Sequence, residues 1–360
     1  MKQTKQFTLA AAALLIGMGF ISCSKEHNGE NLSADKFNVT LSFKSATTRT
    51  DGAAAMGGTI VDIADGYICF VTAGGAITDV YTISSSSTTG KNINAGSLGA
   101  MPVTLEHIPG TSSQVYMIAN KRSLTPPPVE GINISTYFTH LMKVTDQGDY
   151  TKVTSVGNAP LTPGATESDR NAAITLSTQV SRIQIKEIGF DDNITGTVAG
   201  IFVNGFYPAM QLNGTADAWQ TSSVAANYNE NTGIFLAEYK NYVYDIVNKV
   251  ITKNVIPNNG VWGYNLFASA TPQIVIKLTN VVVNGDVVLS DPQFVTINGF
   301  KKGDGTAISH LEGGMIYTIQ AGSIVIKYEH ITTEPGVTPF SVHVTVTPVT
   351  WQETIVNPNM

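Results

Sequence analysis

The chain has 360 residues, of which only 21 are basic and 27 acidic. At 13% charged it carries about half the roughly 25% of an average soluble domain, which excludes a coiled coil, a helical bundle and a charge-rich disordered chain. A net charge of −6 gives no electrostatic reason to expect a nucleic acid partner, and the length makes two domains of about 100–200 residues the default.

At the start of the chain, Lys2 and Lys5 precede an apolar run from Phe7 to Ile21. A basic start and a run of this length read as a secretory signal, too short for a comfortable transmembrane helix. The run ends in Phe20-Ile21-Ser22-Cys23, a small residue before a cysteine, which resembles the lipobox of bacterial lipoproteins. That resemblance implies cleavage of residues 1–22 and lipid on Cys23, with 23–36 as a polar tether. Cys69 is the one other cysteine, so a lipidated Cys23 leaves no disulfide within the chain, and Cys69 reads as a buried strand residue.

Beyond the tether, strand signals dominate. Phe37, Val39, Leu41 and Phe43 alternate with Asn38, Thr40 and Ser42, one apolar face of a strand over 37–45. Tyr67–Thr72 and Ile77–Ile83 flank Gly74-Gly75 and predict a hairpin. Val115–Ala119 predicts a short apolar strand. Ile134, Tyr137, Phe138, Leu141 and Met142 recur at helical spacing, predicting a short helix over Asn133–Val144. The turn-rich stretch Gly157–Asn171 is the best boundary, dividing an N-terminal domain, 37–165, from a C-terminal one, 166–360. In the second part, Ser181–Ile188, Ile274–Leu278, Ile316–Ile319 and Ser323–Tyr328 read as strands. Val281–Val283 and Val287–Leu289 flank Asn284-Gly285, a pair suited to a tight hairpin. The expected architecture is all-β, two antiparallel sandwiches in tandem.

Catalytic chemistry finds no foothold. The histidines are dispersed, and no zinc-protease helix, nucleophile elbow or phosphate-binding glycine loop is present. Asp191-Asp192-Asn193 reads as a turn after a strand and not as a calcium ligand set. Trp219, Trp262 and Trp351 could line a sugar platform or simply fill a core. No catalytic residue, metal or cofactor is expected.

Two segments at opposite ends of the mature chain match. Phe340, Val342, Val344 and Val346 repeat the alternation of Phe37, Val39, Leu41 and Phe43, each series led by a phenylalanine. The first is followed by Ser45-Ala46-Thr47-Thr48-Arg49-Thr50-Asp51-Gly52, a small, polar loop that suits proteolysis after Arg49. Such a cut would free the strand 37–45 and its tether, and leave a groove with two unpaired edges. The C-terminal strands of another copy, over 340–356, carry the alternation needed to fill it. Thr347-Pro348 would turn the chain between them.

These marks, with Val115-Tyr116-Met117-Ile118-Ala119-Asn120, Leu176–Ile185 built around Val180-Ser181-Arg182-Ile183, and Gly314–Ile319, resemble the fimbrillins of Bacteroides-type bacteria, subunits of the protease-assembled (type V) pilus. The resemblance covers nearly the whole chain through loose motifs that are specific only together. It implies two transthyretin-like β-sandwich domains and export as a lipoprotein to the outer membrane. It further implies cleavage by an Arg-specific protease and polymerisation with other copies or related pilus subunits into a surface fimbrium, as a stalk or accessory subunit supporting adhesion to host or bacterial receptors. The alternatives are a surface lipoprotein that never polymerises and a tip adhesin, both binding glycans.

Overall fold

The computed structural model describes residues 36–45, 60–61, 63–85, 90–98, 102–121, 124–148, 152–221, 223–225, 249–251, 262–348 and 350–351. Cys23, Arg49 and the chain beyond Trp351 lie outside them. The first strands are β1 (Lys36–Ser45), β2 (Ile60–Val61), β3 (Gly66–Val71), β4 (Ile77–Ser84), β5 (Asn92–Asn94), β6 (Val103–Pro109), β7 (Gln114–Ala119), β8 (Leu141–Lys143), β9 (Ser155–Pro160), β10 (Thr162–Pro163) and β11 (Asp169–Leu176). They build a sheet in the order β5-β4-β3-β7-β9 and another in the order β10-β11-β1-β6. β3 is a continuous apolar run in the middle of its sheet and is buried throughout, as such runs are. β4 alternates, yet its core-facing row of Ile77, Asp79, Tyr81 and Ile83 includes a carboxylate. Asp79 is tolerated there because Lys91 reaches in to pair with it and with Glu130 at 3.0 Å, since a buried charge needs a partner.

The two sheets close along one side, where Val156 and Ser177 exchange backbone bonds of 2.8 and 2.9 Å. Gly157 permits this approach, because a Cβ there would lie 2.4 Å from the Thr175 carbonyl oxygen. The expected hairpins are present: β3 and β4 pair antiparallel across the Gly74-Gly75 turn. The helix is shorter than its spacing predicts. Only Ser135–Phe138 (α1) is helical, Ile134 at its start provides no side-chain cap, and Leu141–Lys143 forms β8. Ile134, Thr136 and Thr139 are β-branched, and four residues cannot repay helix nucleation. Met142 is buried between exposed Leu141 and Lys143, a period of two that suits a strand.

The second set of strands is β12 (Val180–Ile185), β13 (Gly189–Phe190), β14 (Ile194–Asn204), β15 (Ala209–Gln211), β16 (Lys249–Ile251), β17 (Trp262–Phe267), β18 (Ser269–Ala270), β19 (Gln273–Val283), β20 (Val287–Val288), β21 (Gln293–Lys301), β22 (Ala307–Ile308), β23 (His310–Leu311), β24 (Met315–Ile319), β25 (Val325–Ile326), β26 (Phe340–Pro348) and β27 (Thr350–Trp351). The main path runs β16-β14-β19-β21-β26-β24-β12-β17. This sheet curls on itself: the Tyr264 hydroxyl on β17, at one end, donates to the Ile201 carbonyl on β14, near the other, at 3.3 Å. Curling sets Ile183 and Ile185 in the same buried cluster as Ile274, Ile276 and Leu278.

β26 makes the corner. Its first part, Phe340–His343, runs parallel to β21, and its second, Val344–Pro348, antiparallel to β24. A strand that passes from one layer to the next is a recognised way to turn such a corner. The change of partners between the two sets of strands falls between Leu176 and Val180. Two short pairings bridge the sets, β8 with β15 and β2 with β27.

Candidate functional site

β1 occupies a slot in the middle of its sheet. It runs parallel to β11, Asn38 to Ser45 opposite Asp169 to Leu176, and antiparallel to β6, with Lys36 opposite Pro109 and Leu41 opposite Val103. Both backbone edges of the strand are therefore engaged. Phe37 is nearly buried, Val39 and Leu41 have no exposure at all, and Phe43 packs at the margin of the core. The slot wall contributes Ala172, Ile174 and Leu176 from β11 and Leu105 and Ile108 from β6, all buried. On the outward face, the Thr40 and Thr104 hydroxyls meet at 3.2 Å.

The leading end of the slot carries a charge. The Arg170 guanidinium lies 5.1 Å from the centre of the Phe37 ring. Its Nη1 donates to the backbone carbonyls of Glu167 at 2.8 Å and Asp169 at 2.7 Å. Those bonds hold the cation over the ring, where the negative π face attracts it. Sequence reasoning missed Arg170 because nothing local marks it: its aromatic partner belongs to a strand far away in the chain.

The four residues matching β1 sit in β26. Val342 and Val344 are buried in their own sheet between β21 and β24, while Phe340 and Val346 are partly buried. Phe340 stacks on the His330 ring, with centroids 4.2 Å apart and planes at 6°. Burial holds the His330 imidazole below its usual range, and its Nδ1 accepts from the Lys327 backbone N–H at 3.3 Å. Just beyond, the β27 backbone pairs with β2, Ile60 opposite Thr350 and Val61 opposite Trp351. The last described strand thus pairs with the first described strand after Arg49.

Other candidates resolve into structure. Burial pushes the Cys69 thiol up to about 12, which leaves no thiolate for chemistry near neutral pH. Trp262 is fully buried against Tyr264, with ring centroids 4.4 Å apart, so it offers nothing to a ligand. Trp219 is 37% exposed and meets Tyr207 edge-on at 5.0 Å. Asp191 and Asp192 form the expected turn, with the Ile194 N–H bonded to the Asp191 carbonyl at 2.9 Å. Among the described residues no group of three or more His, Cys, Asp or Glu side chains is placed to hold a metal ion. Arg182 is buried in the second sheet, donating to Gln184 at 3.2 Å and Asn265 at 3.1 Å. It fits because residue 263 is glycine; a Cβ there would lie 2.4 Å from Nη2.

Comparison with solved structures places this arrangement. A proposed cell adhesion protein from Bacteroides eggerthii DSM 20697 superposes with a TM-score of 0.55 at 15% identity, covering 91% of this chain and 100% of that one. A second, from Parabacteroides distasonis ATCC 8503, gives 0.54 at 12% identity, covering 90% and 99%. The chain has the fold of these proteins. A fimbrial assembly protein from Parabacteroides distasonis ATCC 8503 is also similar, with a TM-score of 0.43 at 11% identity over 82% of this chain and 93% of that one. No protein-family model and no curated protein sequence matches the chain.

Proposed function

We propose that the protein is a structural subunit of a surface fimbrium, stalk or accessory, that assembles by exchange of β1 for a strand of another subunit. The observation that carries this reading is the position of β1: a strand early in the chain, engaged on both edges, with Arg49 four residues beyond its end in the sequence. The fold shared with cell adhesion proteins of Bacteroides and Parabacteroides supports a role at the cell surface. In this reading the precursor is exported as a lipoprotein, anchored in the outer membrane through Cys23, and cleaved after Arg49 by an Arg-specific protease.

Energetics favour a held strand before cleavage and an exchangeable one after it. The three buried side chains Phe37, Val39 and Leu41 are worth roughly 5–9 kcal/mol gross when moved from water, and the covalently attached strand loses no association entropy. Once cut, it competes on equal terms with any strand of the same pattern, both being charged for lost translational freedom. The donor is the C-terminal region of a neighbour, with Phe340, Val342, Val344 and Val346 replacing Phe37, Val39, Leu41 and Phe43. Donation by β26 itself must also open β21 and β24, an observation that favours a second version in which β26 stays home and the chain after Pro348 is donated. A domain division near residue 165 would part β11 from β1, whose slot it walls, so the proposal favours a division between Leu176 and Val180, where the strands change partners.

Treating the chain that starts after Cys23 with an Arg-specific protease tests the reading. Cleavage after Arg49 is expected to give a stable body that forms ordered polymers, seen by size and by electron microscopy. A cleaved body that stays monomeric would overturn it. Truncation after Pro348 separates the two donors: polymers that survive implicate β26, and polymers that vanish from a folded subunit implicate the chain beyond. Trp219-dependent sugar binding without polymerisation would instead favour a glycan-binding surface lipoprotein or tip adhesin.

A further inference from the structure

We infer that Arg170 is a specificity residue of the β1 slot, selecting a partner strand that runs in the direction of β1 and leads with an aromatic ring. The inference rests on the strand-exchange reading and adds to it the chemistry of the strand that can enter. Three observations carry it. Arg170 stands on β11, the wall that remains when β1 leaves, opposite Val39 in the parallel register. Its guanidinium is held by two backbone carbonyls beside it in the chain, Glu167 and Asp169, and by no hydrogen bond to a side chain of β1, while the Asn38 N–H of β1 reaches the intervening Ser168 carbonyl at 2.8 Å. The ring it covers, Phe37, is the leading apolar residue of the strand and is nearly buried.

Departure of β1 would leave a cation already held over an empty pocket. A leucine entering that pocket recovers burial but not the attraction between the cation and a π face. An aromatic recovers both. The direction of entry matters equally. A strand with the pattern of Phe340, Val342, Val344 and Val346, running as β1 runs, brings Phe340 beneath Arg170. The reverse direction brings Val346 there. In its own chain Phe340 lies against the His330 ring, so transfer to the slot would exchange an imidazole neighbour for a guanidinium. Arg170 is thereby a filter on both the identity and the polarity of the incoming strand.

The test uses the full chain from residue 24, cut after Arg49 with an Arg-specific protease that is then inhibited, so that β1 remains bound without a covalent link. A fluorescent peptide spanning Lys36–Ser45 and its Phe37→Leu and Phe37→Ala forms are added in excess, and incorporation into the body is read by size exclusion. The parent peptide is expected to outcompete the Phe37→Leu form by about three- to thirty-fold, the range of a partly desolvated cation–π contact. In Arg170→Gln, checked by circular dichroism to be folded, that preference is expected to fall to about twofold or less, while Phe37→Ala remains the weakest ligand in both proteins. An unchanged preference for Phe over Leu in Arg170→Gln, or none in the parent protein, would overturn the role of Arg170 and leave strand exchange standing. Failure of every peptide to enter the cleaved parent protein would overturn strand exchange and this inference together.

Discussion

Val344 shows how one side chain can constrain an assembly mechanism. It is buried on β26 beside Val342, between β21 and β24. Val344→Asp is therefore expected to unfold or loosen the subunit itself, by the order of 4 kcal/mol for an unpaired buried charge, measured as a lower urea midpoint before any protease is added. The neighbouring His343 is exposed, with its Nδ1 at 3.1 Å from the Lys302 carbonyl, and His343→Asp is expected to lose only the net worth of that bond, about 1 kcal/mol. Leu41→Ala, fully buried in the slot, is expected to lose about 2–5 kcal/mol of stability and to speed release of β1 after cleavage. Cys69 gives a pH prediction. Its thiol is raised from 9.0 to about 12 by burial, so the folded state keeps its proton where the unfolded chain loses it. Stability from this group is intact below pH 9 and falls by about 1.4 kcal/mol per unit as the pH rises towards 12. Tyr81 and Tyr317, also raised chiefly by burial, add to the fall. Denaturant midpoints measured from pH 8 to 11 should descend less steeply in Cys69→Ala.

At the scale of elements, two glycines with positive φ separate turn strain from steric conflict. Gly285 (φ 84°) lies at the tip of the β19–β20 hairpin, where an added Cβ meets nothing within 4 Å. Gly66 (φ 134°) opens β3, where the same atom would lie 2.0 Å from the Ile118 carbonyl oxygen. Gly285→Ala is expected to lose only about 1–2 kcal/mol for the left-handed conformation. Gly66→Ala is expected to lose clearly more, because it must also break the pairing of β3 with β7; thermal unfolding of the two variants makes the comparison. The Asn284-Gly285 hairpin was legible from sequence because a tight turn is a two-residue property. So were β1 and β3–β4, whose side chains alternate or run apolar within a few residues. β14 and β21 escaped notice: Ile194–Asn204 contains Gly196 and Gly200, and β21 contains Asn298-Gly299 at a register shift. Glycine in these strands answers to close neighbours: Phe190 and Phe202 from the same stretch for the first, and Ser341 on β26 for the second, a partner that no local window contains. The helical spacing of residues 133–144 misled for the same reason, since β8 exists through its pairing with β15 some seventy residues away. Arg170 and the curl of the second sheet were equally hidden, each depending on contacts between distant strands.

For the molecule as a whole, charge and mechanics bear on assembly. Removing residues 1–49 takes away six of the 21 basic residues and three of the 27 acidic ones, leaving a body with a net charge of −9. Such bodies repel one another, so the polymerisation proposed above is expected to be faster at 0.3 M than at 0.02 M salt, where screening is weaker; light scattering after cleavage reads the rate. The partner change within β26 has a consequence of a different kind. A chain stretched between β1 and β26 would carry tension along β1, which lies between β6 and β11, and along β26, whose first half is bonded to β21 and whose second half is bonded to β24. Every backbone bond flanking such a strand is loaded sideways and at once, as in a lap joint, and not peeled one after another from an end. With opposite polarities in its two halves, β26 also ties both leaves of the second sheet into a single tensile path.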